Sequence, residues 1–334
     1  MPAFSVFSSL RAVRAVAAVN PGVLPTLNAL IRPAALPLIR PLAMASLGLV
    51  ASLACVAAQA DTLSRIRETK TINVGVREAA RPFSFLNDAK QPTGYSVDLC
   101  LAAVDDIKKE LKLPDLKVNY VVVSGPERIP KLQKEEIDLE CGSTTNTKAR
   151  QEQVSFSYTI FVAGMKVLVP KGTRVESLKD LDGMTIALSK GTTSEKLFTQ
   201  LNSSGEAKMQ LVQYANNNEA FKALREGKAR AFPQDDALLQ GLASKEKALD
   251  ALGLASMAFS VEPYGIMMRK GDTRLNEVVD RTLSRLFTSG EIQTLYKKWF
   301  ETPALTIPMS RLTRDSFVRP NKEAGVAMLL GYSI

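Results

Sequence analysis

From residue 61 onward, short runs that alternate apolar and polar positions take turns with segments in which apolar residues recur every three or four positions. These are the periods of strands and of amphipathic helices. Asp61 is placed to cap a short helix carrying Leu63 and Ile66, and "TINVGVR" then alternates Ile72, Val74 and Val76 as a strand. "RPFSFLNDAKQPTGYSVD" is a turn-rich excursion marked by Pro82, Pro92 and Gly94. Val97, Leu101, Val104 and Ile107 follow at helical spacing, Pro114 ends that segment, and "LKVNYVVV" predicts the next strand. A short helix over 126–134 leads into "EIDLECGSTTNTKAR". There Ile137, Leu139 and Cys141 form one alternating set before the run breaks up into five small hydrogen-bonding residues, 142–146.

The alternation restarts after "FSYTIFVAGMKVLVP". Strand "MTIALS", a helix from Thr192, strand "MQLVQY", helix "NNEAFKALREG", strand "ARAFP" and a helix from Asp235 follow one another. "SVEPYGIMMRK" then predicts a returning strand, before two helices over 272–287 and 290–300. The expected class is α/β with mainly parallel sheets flanked by helices. Two such units joined by strand-like crossings near 161–168 and 260–268 leave a cleft between them. The boundaries that follow are one lobe of 61–163 plus 262–302, a second of 164–261, and an arm over 303–334 lying on the surface or partly disordered.

Residues 1–60 differ from the rest in holding four arginines, no lysine and no acidic residue. A basic segment, the apolar "PLAMASLGLVASLACVAAQADT" and the small-x-small ending Ala58-Gln59-Ala60 predict an export signal, with the mature chain starting at Asp61 in the periplasm. A retained anchor is the alternative, although the stretch is marginal for a span of about 20 apolar residues. A lipoprotein at Cys55 is disfavoured by Ser52. Without the leader, 39 basic residues face 34 acidic ones, a net of +5 that is spread among acids and argues against a nucleic-acid partner.

The chain has no histidine, which excludes Ser-His and Cys-His catalysis and histidine-based metal sites. Neither a dinucleotide fingerprint nor a P-loop is present, and no cofactor or metal is expected. Export permits a disulfide between Cys100 and Cys141. Both fall on apolar positions of regular elements, so two buried thiols are expected.

Candidate chemistry gathers where strands end, the side of an α/β sheet that faces a crevice. Arg77 ends the first strand, Ser124 and Arg128 follow the second, "GSTT" with Arg150 follows the third, and Asp235 ends a fourth. "LSKGTTSE" adds backbone N–H groups and threonine hydroxyls at a helix start, a seat for an anion. Taken singly, each has a plainer meaning: arginines near strand ends are often surface residues, and Thr192 or Asp235 serves as well as a helix N-cap. Together, three guanidinium groups facing one enclosed space repel each other unless neutralised. A ligand with two carboxylates would accept paired N–H bonds from them, while the lone Asp235 takes an ammonium. That is the charge pattern of an acidic amino acid.

"RIPKLQ", "LECGSTTN", "TIFVAG", "SKGTTSE", "DDALL" and "SGEIQTLYKKWF" occur in this order. Over about residues 62–302 the chain resembles the periplasmic solute-binding proteins of polar amino acid ABC transporters, in the branch that binds glutamate and aspartate. The resemblance implies a type II two-lobed fold with two hinge strands that close around the ligand. It implies a non-catalytic monomer that carries L-glutamate or L-aspartate to an inner-membrane ABC permease complex. It further implies that Arg150, with Thr145 and Thr193, grips the α-carboxylate, that Ser143 and Asp235 hold the ammonium, and that Arg77 and Arg128 pair with the side-chain carboxylate. Gly142 lets the ligand backbone approach.

Two positions depart from that branch: Asn217 stands where it has a histidine and Gly125 where it has a serine. The amide of Asn217 still donates but is uncharged and shorter than imidazole. Preference between glutamate and aspartate, and tolerance of asparagine or glutamine, therefore stay open. An alternative on the same scaffold is a periplasmic dehydratase of prephenate-like acids with Glu140 or Glu195 as general acid, although Asp235 suits an ammonium that prephenate lacks. A sensor ectodomain would need a membrane span after the lobes, and "AGVAMLLGYSI" is too short for one.

Overall fold

The computed structural model describes residues 61–327 and the backbone of 332–333. The leader expected over 1–60 lies outside the described residues. Asp61 caps α1 (Thr62–Thr69), its side chain accepting from the Leu63 N–H. Next come β1 (Thr71–Val76) and the small antiparallel sheet of β2 (Ala79–Ala80), β3 (Ser84–Leu86) and β4 (Pro92–Thr93). α2 (Tyr95–Leu111), β5 (Lys117–Val122), α3 (Arg128–Gln133), β6 (Leu139–Glu140), α4 (Lys148–Gln151) and β7 (Val154–Phe156) complete this pass.

The long β8 (Phe161–Pro170) leads into β9 (Thr185–Ser189), α5 (Thr193–Ser203), β10 (Gln210–Tyr214), α6 (Asn217–Arg225), β11 (Phe232–Asp235), α7 (Asp236–Lys245) and β12 (Leu252–Leu254). The chain returns through β13 (Ser260–Tyr264) and β14 (Met267–Arg269) to α8 (Thr273–Ser289) and α9 (Glu291–Phe300). Beyond these lie a hairpin of β15 (Glu301–Thr302) and β16 (Leu305–Thr306), α10 (Arg311–Val318) and β17 (Val326–Ala327).

The first sheet has the order β5-β1-β6-β14-β7 and is parallel across β5, β1 and β6. Ile72, Val74 and Val76 of β1 are fully buried, as expected of a central strand covered by helices. The second sheet departs from the mainly parallel expectation. In it β11, β8 and β13 are antiparallel, and the parallel β9–β10 pair forms a separate two-stranded sheet beside it. The cause is connectivity: β8 carries the chain out and β13 brings it back alongside, and strands joined that way must run in opposite directions.

The two crossing strands tie two hydrophobic cores together. Phe161 and Ala163 of β8 belong to the core beneath α1, α2, α8 and α9, while Met165 and Val167 of the same strand belong to the core around Ile186, Leu188, Phe198 and Phe259. An aromatic cluster of Phe83, Tyr95, Phe161, Tyr264, Tyr296 and Phe300 anchors the first-lobe ends of both crossings, with Phe161 5.0 Å from Phe300 and Tyr264 5.0 Å from Phe83 between ring centroids. Each such buried ring contributes roughly 1.5–3 kcal/mol, so the crossings leave the first lobe as fixed struts.

Two expectations are corrected. Cys100 and Cys141 form a disulfide rather than two thiols. Their burial was the ground for expecting thiols, yet the packing of α2 on the first sheet sets the two Cα atoms 6.2 Å apart, a bridgeable separation. The described part of the arm, residues 303–327, is also more ordered than its sparse periodicity implies. In α10, capped by Ser310, Phe317 is buried and stacks on Phe287 at 4.8 Å, and β17 pairs with β13. The disulfide closes a 41-residue separation and pins α2 to the strand end that precedes residues 142–146. Replacing both cysteines with alanine is expected to lower unfolding free energy by about 3–4 kcal/mol, read as an earlier midpoint in urea; an unshifted midpoint would show the bridge to be energetically idle.

Candidate functional site

The polar strand ends and helix starts of the two lobes face one another. Arg77 follows β1, Arg128 opens α3, Ser143 and Thr145 lie on the loop after β6, and Arg150 lies in α4. Opposite them, Thr193 opens α5, Asn217 opens α6 and Asp235 ends β11. All eight line one tight cavity of about 10 Å³, joined by Thr192, Gln234 and Leu238. Helix starts supply the placement. Thr147 caps α4 by accepting from the Arg150 N–H, and Thr192 caps α5 by accepting from the Glu195 N–H at 3.0 Å. Asp235 occupies the same position before α7 but makes no capping bond, which leaves its carboxylate to the cavity. Ser124 stays outside, bonded to Glu127 on the surface.

The electrostatics are more balanced than a lone aspartate facing three arginines. Glu140 and Glu262 are also fully buried here, and neither was anticipated as a counter-charge. Their signal in the sequence is a charged residue inside an otherwise apolar strand, in "DLEC" and "SVEPY". Arg128 donates from Nη1 to Thr144 Oγ1 at 2.7 Å, and that hydroxyl donates to Glu140 Oε2 at 2.7 Å. Thr193 donates to Glu262 Oε2 at 3.0 Å. Arg150 donates from Nη1 to the Thr145 carbonyl at 2.9 Å. The Tyr264 hydroxyl donates to Asp235 Oδ2.

The balance is still strained. Burial and the charge of Arg128 push Arg77 down to about 10 and Arg150 down to about 9. Burial, with the charge of Glu262, holds the Asp235 carboxyl well above the usual carboxylate range. Arg77 Nε, Glu140 Oε1 and Asp235 Oδ1 are buried without a hydrogen-bond partner among the described residues. An unmet buried polar group costs about 1–3 kcal/mol, so donor and acceptor capacity both stand open. A small zwitterion bearing extra carboxylate meets both needs.

The lobes are in contact around this cavity. Arg128 Nη2 and Arg150 Nη2, from the first lobe, both donate to the Gly191 carbonyl of the second, at 2.8 and 3.2 Å. Asn217 donates across the gap to the Ala79 carbonyl at 3.1 Å and accepts from Gln234 Nε2 at 3.1 Å, so part of its amide is engaged in the lobe contact. Gly125 acquires a physical reason: a Cβ there would stand 2.3 Å from the Lys190 carbonyl oxygen. Gly191, at φ +75°, faces the Gly125 backbone just as closely. Of the two dehydratase candidates, Glu195 is engaged as acceptor for the Gly191 N–H at 2.6 Å. Glu140 accepts from the Thr144 hydroxyl and does not line the cavity. Among the described residues there is no cluster of three or more His, Cys, Asp or Glu suited to a metal, and no helix long and apolar enough to cross a membrane.

Comparison with known proteins shows the family. A family model described as bacterial extracellular solute-binding proteins, family 3, matches residues 72–302. The L-glutamate/L-aspartate-binding protein of Pseudomonas aeruginosa is 40% identical over 274 residues, covering 80% of this chain and 91% of its own. The glutamate/aspartate import solute-binding protein of Salmonella typhimurium is 37% identical, covering 80% and 90%. Among solved structures, an ancestral amino acid-binding protein, AncCDT-1, a precursor of cyclohexadienyl dehydratase, is similar with a TM-score of 0.62 at 30% identity, covering 71% of this chain and 99% of its own.

Because the 125–190 approach leaves no room for a side chain, Gly125→Val is expected to hold the lobes apart without unfolding either. Small-angle scattering should then report a larger radius of gyration with an unchanged circular dichroism spectrum; an unchanged radius would show that this contact does not limit closure.

Proposed function

The chain belongs to the bacterial extracellular solute-binding proteins, family 3, and on that premise we propose that it captures L-glutamate or L-aspartate between its lobes and passes it to an inner-membrane ABC-type amino acid permease. The observation that carries this reading is the set of guanidinium groups of Arg77 and Arg128, both buried, and of half-buried Arg150, opposite Asp235, whose Oδ1 lacks a partner among the described residues, around a single cavity. In the proposed arrangement Arg150, Thr145 and Thr193 hold the α-carboxylate. Asp235 and Ser143 take the ammonium, and Arg77 and Arg128 pair with the distal carboxylate. The names of the two relatives, both glutamate/aspartate binders, support the same ligand class.

The protein is a binder and not an enzyme, in keeping with its relatives. Residues 61–163 with 262–302 form one proposed lobe and 164–261 the other, with β8 and β13 as the hinge. The leader is cut between Ala60 and Asp61, and a monomer acts in the periplasm. Asn217, bound to Ala79 and Gln234, shapes the distal end of the site without adding charge there.

Titration calorimetry is expected to give one-to-one binding of L-glutamate or L-aspartate, and much weaker binding of asparagine and glutamine. Arg77→Ala removes a charge whose Nε has no partner within the described chain, so it should cost acidic ligands about 100-fold in affinity and leave the fold intact. Equal affinity in that variant would remove Arg77 from the ligand set.

A further inference from the structure

Strand β13 returns the chain from the second lobe to the first, and Glu262 and Tyr264, two residues apart, share one face of it. Both are fully buried, and neither lines the cavity. Tyr264 nevertheless reaches a residue that does: its hydroxyl donates to Asp235 Oδ2 on the opposite lobe, while Oδ1 of the same carboxylate stays unpartnered among the described residues. Its ring is fixed among Phe83 and Phe161, at 5.0 and 5.9 Å, and its backbone bridges to Thr145. The hydroxyl is therefore presented from a rigid position.

Asp235 needs such a donor. The charges that bear on it are Glu262 from the same strand, Asp236 at the start of α7, Arg150 in α4 and Arg128 at the start of α3. Burial and the two acids oppose its ionised form, whereas Arg150 and the Tyr264 hydroxyl favour it. With Oδ2 held by Tyr264, the free Oδ1 has one direction to face.

We propose that Tyr264 is a positioning residue for ligand capture, holding Oδ2 of Asp235 so that Oδ1 is turned to meet the ligand's ammonium. This rests on the reading of the site as one for an acidic amino acid, and it adds a residue of the hinge strand that does not itself touch the ligand. Because β13 runs through both lobes, the contact also links the ammonium acceptor of one lobe to the aromatic core of the other.

The test is the affinity for L-glutamate and L-aspartate from pH 4 to 8 in the wild-type protein, Tyr264→Phe and Asp235→Asn. Tyr264→Phe keeps the ring and loses one hydrogen bond to a charged group, so near neutral pH it should bind about 10-fold more weakly or worse. With the donor gone, the Asp235 carboxyl protonates at higher pH. The fall in affinity on acidification should therefore begin at a higher pH than in the wild type, the ligand's own titration being common to both. Asp235→Asn should remove the part of that fall due to the protein; a fall that persists unchanged overturns the proposal even if the phenylalanine variant does not fold. Unaltered affinity in Tyr264→Phe, or a loss with the acid dependence unmoved, also overturns it. Failure of the wild-type protein to bind either amino acid would instead sink the underlying reading of the site.

Discussion

Three guanidinium groups around one small cavity, those of Arg77 and Arg128 buried and that of Arg150 half-buried, are the constraint to which the rest of the structure answers. Isolated charges of that kind cost several kcal/mol each on leaving water. Glu140, Glu262 and Asp235 offset part of that cost, yet Arg77 and Arg150 still lose some hold on their protons and several polar atoms remain unmet. The site is thus built to be completed by something anionic that also carries a positive group. This is why the proposed ligand is an amino acid with a second carboxylate rather than a simple dicarboxylate.

Such a site works only if both halves are presented rigidly and can come together. Helix starts and strand ends give the precision, since capped turns leave few ways for Arg150 or Thr193 to point. The Cys100–Cys141 bridge fixes the strand end preceding the small-residue loop to α2. The glycines at 125 and 191 allow backbone to meet backbone where the lobes touch. In the proposed hinge, β8 and β13 begin in one core and end in the other, so closing motion has to flex strands anchored at both ends.

Much of this was legible in the sequence. Strand and helix periods placed β1, α2, β9 and α6 because a one-sided or buried element must repeat its apolar residues at its own period. The six ordered segments identified the family, and residues placed at strand ends were brought to one cavity because parallel α/β units point those ends the same way. Local pattern also determined the absence of histidine chemistry and the export-like composition of the first 60 residues.

Contacts between distant segments were decided only by the tertiary structure, since burial and pairing depend on where elements pack and not on their own period. Cys100 and Cys141 look alike as thiols or as a bridge until α2 is laid on the sheet. Glu140 reads as a candidate general acid and Glu262 as a stray charge in a strand until the arginines of the cavity come near them, and Tyr264 as one more core aromatic until β13 sets its hydroxyl against Asp235. Gly125 looks like a lost side chain until Lys190 arrives from the other lobe. Sequence determined what each segment is; the meeting of segments fixed which charges are neutralised, because electrostatic compensation acts over a few ångströms in space regardless of separation along the chain.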